Sequence, residues 1–281
     1  MSSINTSPPL FTLLQQINST NDRGFGIRNQ ISTSNRFNGA DDPSNFAVSQ
    51  GLNADIQAFD AIDQALSSNT GAAVTALTAA DFASNLLSDA TTNAILALNP
   101  SSSPEQQQIF ADGFEQNLSQ LNQVVEGANF NGSNLANGEP AGGLNTVAEL
   151  DGDQINIPSQ DFTTAGLSAN ETALGNDGLD DIDLNDPTTT IGDVNSIIQN
   201  AEQQLALGVG EIAAGLNSVD RQREFNQSIQ DATVEGLGSL RDADLARADA
   251  RDEQIRVQQQ LQFQVLNQQN QQRGLIVNLF A

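Results

Sequence analysis

The chain has 281 residues, a formal net charge of −25 and few aromatic residues, all of them phenylalanine. Lysine, histidine, cysteine, tryptophan and tyrosine are absent, which removes the commonest general base, the commonest metal ligand and every disulfide. Nucleic acid and anionic membranes are bound through basic residues, so this acidity argues against both as partners. No run of 18 apolar residues occurs, and residues 1–9 lack the regions of a cleaved secretory signal, so we expect neither a membrane span nor a signal peptide.

The charge is unevenly distributed along the chain. Residues 1–40 carry three arginines and one acid, and residues 254–281 carry two arginines and no acid. Residues 41–253 carry 34 acids and five arginines. Only the two ends can therefore crowd against copies of themselves without strong repulsion.

The first half of the chain predicts three helices. Residues 10–36 have loose helical spacing, weakened by two glycines, and residues 38–45 form a break. Residues 46–98 carry an apolar stripe at helical spacing that comprises Leu52, Ile56, Phe59, Ile62, Leu66, Val74 and Leu77.

A turn at 99–104 separates the second helix from the third. Ser103, Pro104 and Gln106 have the order of an N-cap, a first-turn proline and a capping-box partner. The helix that they begin runs to about Val125 and has one apolar face, formed by Phe110, Phe114, Leu118, Leu121 and Val125.

Residues 127–187 are rich in Gly, Asn, Asp and Pro, and alternation at Gln154 to Ile157 predicts a strand in a hairpin. The helical period returns at Ile191, with Thr190 and Asp193 as a cap, and its apolar face comprises Val194, Ile198, Ala201, Leu205, Val209, Ile212, Leu216 and Val219. A last helical run fills 241–280. We therefore predict a mainly α fold, a long antiparallel helical bundle or coiled coil with a small β-hairpin insert and with both termini helical and paired.

Three stretches of this sequence resemble bacterial flagellin, the subunit of the flagellar filament, and the likeness extends over the whole chain. The first stretch runs from Ile31 to Gln50. Within it, Arg36 is followed by a hydrophobic residue, Asn38, two small residues and an acidic turn at Asp42. The second is Ala128 to Gly132, similar to the Phe-Asn-Gly turn of flagellins. The third is Asp242-Ala-Asp-Leu-Ala with the later run Val265 to Gln271. Flagellins usually carry lysine where this chain has Asp41. The pair Asp42-Pro43 is closer to hook–filament junction relatives and to some alphaproteobacterial flagellins.

The resemblance implies an extracellular subunit that self-assembles into the flagellar filament for swimming motility, without cofactor or catalysis. It implies inner-tube terminal helices at 1–40 and 241–281, a helical rod domain at 41–130 and 190–240, and a small β insert at 131–189, with no outer variable domain. Expected partners are other copies, the type III export apparatus, an export chaperone, the filament cap and junction proteins. Expected interface or structural residues are Arg36, Asn38, Asp42, Phe130, Asn131, Gly132, Asp242, Asp244, Val265, Leu266 and Asn270.

Two alternatives stay open at this stage. A hook–filament junction protein has the same structural class, and a secreted acidic adhesin or Ca²⁺-binding module belongs to another. The carboxylates that could form an oxygen cage are Asp177, Asp180, Asp181, Asp183 and Asp186. Their spacing does not match an EF-hand, and a solvated acidic loop explains them as well. The scarcity of cations favours a structural ion pair between Arg36 and a carboxylate over a solvated side chain.

Overall fold

The structure is a computed structural model that describes residues 8–37, 39, 42–168, 178–179, 182–186 and 189–279. Its elements are α1 (Pro8–Thr33), α2 (Pro43–Ala97), α3 (Pro104–Gly127), β1 (Leu144–Val147), β2 (Gln154–Ile157), α4 (Thr164–Ser168), α5 (Ile191–Arg241) and α6 (Leu245–Leu279). The predicted fold class is confirmed, because the described chain consists mainly of long helices with one small antiparallel hairpin, and α1 packs against α6. None of the described helices is long and apolar enough to cross a membrane.

The chain divides into two compact units. The terminal unit comprises Met1–Ile56 and Asp231–Ala281, and the central unit comprises Gln57–Gln230. By sequence the central unit has 24 acids and two arginines, a net charge of −22, and the terminal unit has 11 acids and eight arginines, a net charge of −3. Nearly all of the negative charge therefore belongs to the central unit.

The central unit holds the hydrophobic core. On α2 the buried stripe consists mainly of small side chains, namely Ala73, Ala76, Ala80, Ala83, Leu87, Ala90 and Ala94. This corrects the predicted stripe at Val74, which is 49% exposed, whereas Leu77 is half-buried and packs against the core. Alanine is a weak hydrophobic signal in a sequence, but its small side chain lets neighbouring elements approach a helix closely.

The third and fifth helices begin as predicted. Ser103 accepts a hydrogen bond from the Gln106 backbone N–H (3.4 Å), and the Gln106 side chain accepts one from the Ser103 N–H (3.1 Å), which completes a capping box. At α5 the hydroxyl of Thr190 accepts from the Asp193 N–H (3.3 Å) and donates to the Asp193 carboxylate (2.6 Å). Local polar chemistry thus fixes both helix starts.

The hairpin pairs Leu144 with Ile157 and Val147 with Gln154. Its buried residue Ile157 belongs to the central core. The insert approaches α5 at two glycines, since a Cβ at Gly208 would lie 2.5 Å from the ring of Phe162, and one at Gly215 would lie 3.1 Å from the Ile157 Cα. The insert is therefore a packed part of the central unit, and glycines on α5 make room for it.

Candidate functional site at the paired chain ends

Two of the three sequence stretches that carry the resemblance meet in the terminal unit. The segment that follows α1 lies antiparallel to the segment between α5 and α6, with Asn35 opposite Asp242. The Arg36 N–H donates to the carbonyl of Arg241 (2.6 Å), and the Ala243 N–H donates to the carbonyl of Ser34 (2.9 Å). About 200 residues of sequence separate these partners, which form a backbone bridge at one end of the α1–α6 pair.

The acids of both stretches begin helices. The Asp42 carboxylate accepts from the Asn45 backbone N–H (3.0 Å) and from the Asn45 side-chain amide (2.6 Å) at the start of α2. These hydrogen bonds, the backbone one first, hold the pKa of Asp42 below its ordinary value, and the charge of Arg36 adds a smaller effect. Asp244 caps α6, accepting from the Arg247 N–H (3.0 Å) with the Arg247 guanidinium 3.7 Å away.

Arg36 itself is exposed. Its guanidinium carbon lies 5.9 Å from the ring centroid of Phe37, and its carbonyl accepts from the Gln30 side chain (2.8 Å). Within the described part of the chain it makes no ion pair, but Asp41 lies outside that part, so pairing with a carboxylate stays a prediction. Asn38 also lies outside the described residues.

The seam between α1 and α6 combines small side chains, isoleucines and amides. Ile17, Thr20 and Gly24 are buried on α1, and a Cβ on Gly24 would lie 3.1 Å from the Cγ2 of Ile255. The Gln262 amide donates to the Thr20 hydroxyl (3.0 Å). A second glutamine, Gln259, donates to the Asn21 side chain (2.8 Å). The helices run antiparallel, and amides take seam positions that leucine or isoleucine fills in a strong coiled coil.

Large apolar side chains point away from this seam. Among the described side chains of α1 and α6, those exposed are Phe11 (68%), Leu14 (44%), Phe25 (72%), Leu245 (41%), Val257 (46%), Leu261 (56%), Phe263 (52%) and Val265 (43%). Leu266 is half-buried, and Asn270 lies in α6 without a described side chain. Among the described side chains, the pair therefore buries small and polar groups together with Ile17 and Ile255, and it leaves more large apolar side chains exposed than buried, unlike a self-sufficient helix pair.

The Phe-Asn-Gly stretch lies in the central unit, just after α3. Phe130 and Ser133 exchange two backbone hydrogen bonds (2.9 and 3.0 Å) across Asn131 and Gly132, which have φ values of 51° and 86°. Positive φ at both central residues defines a type I′ turn, for which Asn-Gly is the preferred sequence. The Phe130 ring lies over Gly71 of α2, where a Cβ would be 2.5 Å away. The stretch is thus a turn that returns the chain onto α2.

One structural residue pair escaped the sequence analysis. Arg223 of α5 donates to Asp63 of α2 through Nε (2.9 Å) and Nη2 (3.4 Å), with about a quarter and a third of the two side chains exposed. The hydrogen bond to Asp63 is the main cause that raises the pKa of Arg223. The sequence signal was faint: Arg221 and Arg223 are the only cations in the central unit.

The predicted acidic loop provides no assembled cation site within the described residues. No group of three or more acids there could hold a metal ion. Asp183 accepts hydrogen bonds from its own loop, from the N–H of Asn185 (2.8 Å) and from the Thr189 hydroxyl (2.8 Å). Asp177, Asp180 and Asp181 lie outside the described residues.

Paired terminal helices with uncovered apolar faces are typical of helical structural proteins that associate with other copies. Residues 4–140 match the family model of the bacterial flagellin N-terminal helical region. A flagellin of Brucella melitensis is 28% identical over 283 residues, covering 100% of this chain and 99% of that protein. Flagellin FljM of Caulobacter vibrioides is 27% identical over 281 residues with the same coverage. This chain is therefore similar to bacterial flagellins over its whole length.

These alignments are scarcely longer than the chain itself, so neither relative has a large domain inserted with respect to it. Among solved structures, the crystal structure of Bacillus cereus flagellin matches with 13% identity and a TM-score of 0.34, covering 63% of this chain and 88% of that one.

Proposed function

We propose that this protein is a structural subunit that self-assembles into the bacterial flagellar filament and so serves swimming motility. One observation carries the proposal: the paired helices α1 and α6 expose eight large apolar side chains, whereas Ile17 and Ile255 are the large apolar side chains that they bury among those described. A second copy that covers these faces supplies the hydrophobic burial that the isolated pair lacks. Similarity to flagellins over the whole chain supports the same function.

The free energy available from burying apolar side chains between copies favours assembly over an isolated α1–α6 pair. Fully burying a large apolar side chain contributes about 1.5–3 kcal/mol, so covering even half of the eight gives several kcal/mol per subunit. Isolated helices gain little stability from local propensity, and Gly24 and Gly26 lower that of α1 further. The ends therefore gain most of their stability from neighbouring copies.

The remaining parts of the proposal concern location and partners. The filament lies outside the cell, and we propose that the subunit reaches it through the type III export apparatus, with an export chaperone, a filament cap and junction proteins as partners. Weakly stable ends suit this route, because little folded structure there must be undone before export. We further propose the terminal helices as the inner layer of the filament, with no reaction catalysed.

Polymerisation of the purified chain tests the function. We expect salted-out protein to form long filaments in electron micrographs. The double variant Phe11→Ser/Phe25→Ser should raise the critical concentration at least about tenfold, because two exposed rings lose several kcal/mol of burial. The matched variant Phe82→Ser, at an exposed phenylalanine of the central unit, should change it less.

The outcomes separate the candidate functions. A junction protein should add a single layer to existing filament ends, and an adhesin should add none. Failure of the unmodified chain to elongate under any salt condition would contradict the filament proposal.

A further inference from the structure

One flank of the α1–α6 pair holds a groove lined by arginine and glutamine. Its volume is about 430 Å³, and its lining residues are Arg23, Gly26, Ile27, Gln30, Arg251, Gln254, Ile255 and Gln258. A smaller cavity of about 120 Å³ shares Gly26 and Gln30 with it and extends past Thr33 to the rings of Phe37 and Phe46. The two form one continuous depression along this flank, and no acid lines either of them.

The two arginines of the groove lack carboxylate partners. Arg23 donates only to groups on its own helix, the Ser19 carbonyl and the Thr20 hydroxyl, each at 3.3 Å. Neither Arg23 nor Arg251 makes an ion pair within the described residues. In a chain with 35 acids and ten arginines, two neighbouring guanidinium groups facing a groove without acids form a site for carboxylate oxygens.

The floor of the groove is open at Gly26. A Cβ added there would meet no atom within 4 Å, whereas one added at Gly24, in the seam, would contact Ile255. Gly26 therefore serves no close contact inside the subunit, although glycine costs a helix about 1 kcal/mol relative to alanine. Because Gly26 has no side chain, the backbone of another helix can approach the floor of the groove closely.

The opposite flank of α6 carries a carboxylate that fits this groove. Asp249 lies about 160° around the helix from Arg251, is exposed, and makes no ion pair within the described part of the chain. Leu245, one turn earlier on the same flank, is 41% exposed. The nearby Glu253 is already paired with Arg256 (3.3 Å), and the unpaired Asp252 is half-buried, so among the described residues of that flank Asp249 is the exposed acid without an ion pair.

The geometry points to a head-to-tail contact in which the groove of one copy receives the Asp249 flank of α6 from the next copy, with Arg23 and Arg251 on its carboxylate. Groove and flank are different surfaces, so the contact is heterologous, and every copy uses both of them. Such a contact propagates into a ring or a helical filament instead of closing as a dimer. This inference rests on the proposed function and specifies which surfaces join.

A charge swap tests the contact. Arg251→Glu and Asp249→Arg should each raise the critical concentration for polymerisation at least about tenfold, because each places like charges against each other. An equimolar mixture of the two variants, and a single chain carrying both substitutions, should return it to within about threefold of the unmodified chain. Arg221→Glu, an equal charge change in the central unit at an arginine without an ion pair in the described part of the chain, is the matched control and should have a smaller effect than Arg251→Glu.

A second variant probes the floor without changing charge. Gly26→Ala should leave the helicity of the monomer equal or higher and yet slow polymerisation, because the added methyl group meets only the neighbouring copy. Gly51→Ala, at another helical glycine whose Cβ would meet nothing within 4 Å, is its control.

Single variants that polymerise like the unmodified chain, or a swap that restores nothing, would overturn this contact while leaving filament formation intact. An unmodified chain that forms no filaments would overturn the proposed function instead.

Discussion

At the residue scale, hydrogen bonds to charged side chains hold the structure at a few defined points. Asp42 and Asp244 begin helices, and Arg223 joins α5 to α2 through Asp63. Each arrangement uses a carboxylate that would otherwise add to the repulsion in a strongly acidic chain. The effect of removing each one depends on its exposure and on the partner that is left behind.

The N-cap at Asp42 gives a prediction about acid. The pKa of this carboxyl is lowered on folding, so its contribution to stability is present at neutral pH and is lost as pH falls below the ordinary value of 3.8 through the lowered one. We expect the Asn45 amide to exchange faster in that acid range, as measured by hydrogen exchange. Asp42→Asn keeps a good N-cap without a titrating group, so its exchange should not respond to acid in this way. An acid response that persists unchanged in Asp42→Asn would contradict the assignment.

The Arg223–Asp63 pair gives a prediction about stability. Arg223→Ala should lower the free energy of unfolding of the central unit by about 1 kcal/mol, since a two-point charged hydrogen bond is lost at a partly exposed site. Arg221→Ala, two residues away and without an ion pair in the described part of the chain, should change it by less than about 0.5 kcal/mol. Urea denaturation of the two variants measures the difference. Equal losses would show that the pair is not specific.

At the element scale, glycines determine how closely segments of the β insert can approach one another. Gly143 has a φ of 91°, and a Cβ there would collide with the backbone of Ile157 and Pro158. Its neighbour Gly142 has a φ of 86°, but a Cβ there would meet nothing within 4 Å. The two positions share the same backbone strain and differ only in the space around them.

This difference gives a matched pair of substitutions. Gly142→Ala should cost about 1 kcal/mol for its left-handed backbone. Gly143→Ala should cost at least about 3 kcal/mol, because the hairpin must also move and Ile157 must leave the core. Thermal unfolding followed by circular dichroism would rank them. A Gly143→Ala chain as stable as Gly142→Ala would mean that the hairpin contributes little to the core.

Local signals predicted the elements, but not how distant elements meet. The caps at Ser103 and Thr190 and the strand at Gln154 were readable because each depends on residues within a few positions. The prediction of Val74 as a core residue was wrong, because close packing selected Ala73 and Ala76 beside it. Hydrophobicity alone gives a small side chain too little weight at such a contact.

The bridge between Asn35 and Asp242 was not predictable from local pattern either. Both segments look like ordinary helix breaks, and only the docking of α1 on α6 sets their register. The groove lined by arginine and glutamine could not be predicted for the same reason. Arg23 and Arg251 are far apart in sequence and lie on one flank only after the helices pair.

At the scale of the whole molecule, charge and apolar surface belong to different parts of the chain. The central unit carries a net charge of −22 and holds the hydrophobic core, and the terminal unit carries −3 and leaves large apolar side chains of α1 and α6 uncovered. The apolar surface of the terminal unit therefore favours association between copies, and the negative charge of the central unit opposes it.

This balance predicts that salt promotes polymerisation. Neighbouring central units must approach within about a Debye length, roughly 8 Å at physiological ionic strength. Raising NaCl from 20 to about 300 mM, or adding a divalent cation, should therefore lower the critical concentration measured by sedimentation. A critical concentration that rises with salt would show that ion pairs between copies, such as the one proposed for Arg251, outweigh the net repulsion.

The central claim is that the exposed faces of α1 and α6 become buried between copies, and thiol labelling measures this most directly. The natural chain has no cysteine, so Phe25→Cys and Asp151→Cys each provide one probe, in the terminal pair and at the exposed hairpin turn. We predict that both thiols react at similar rates in the monomer and that the Phe25→Cys thiol is protected at least about tenfold in filaments, while the Asp151→Cys thiol reacts as before. Equal reactivity of the Phe25→Cys thiol in monomers and in filaments would contradict the account.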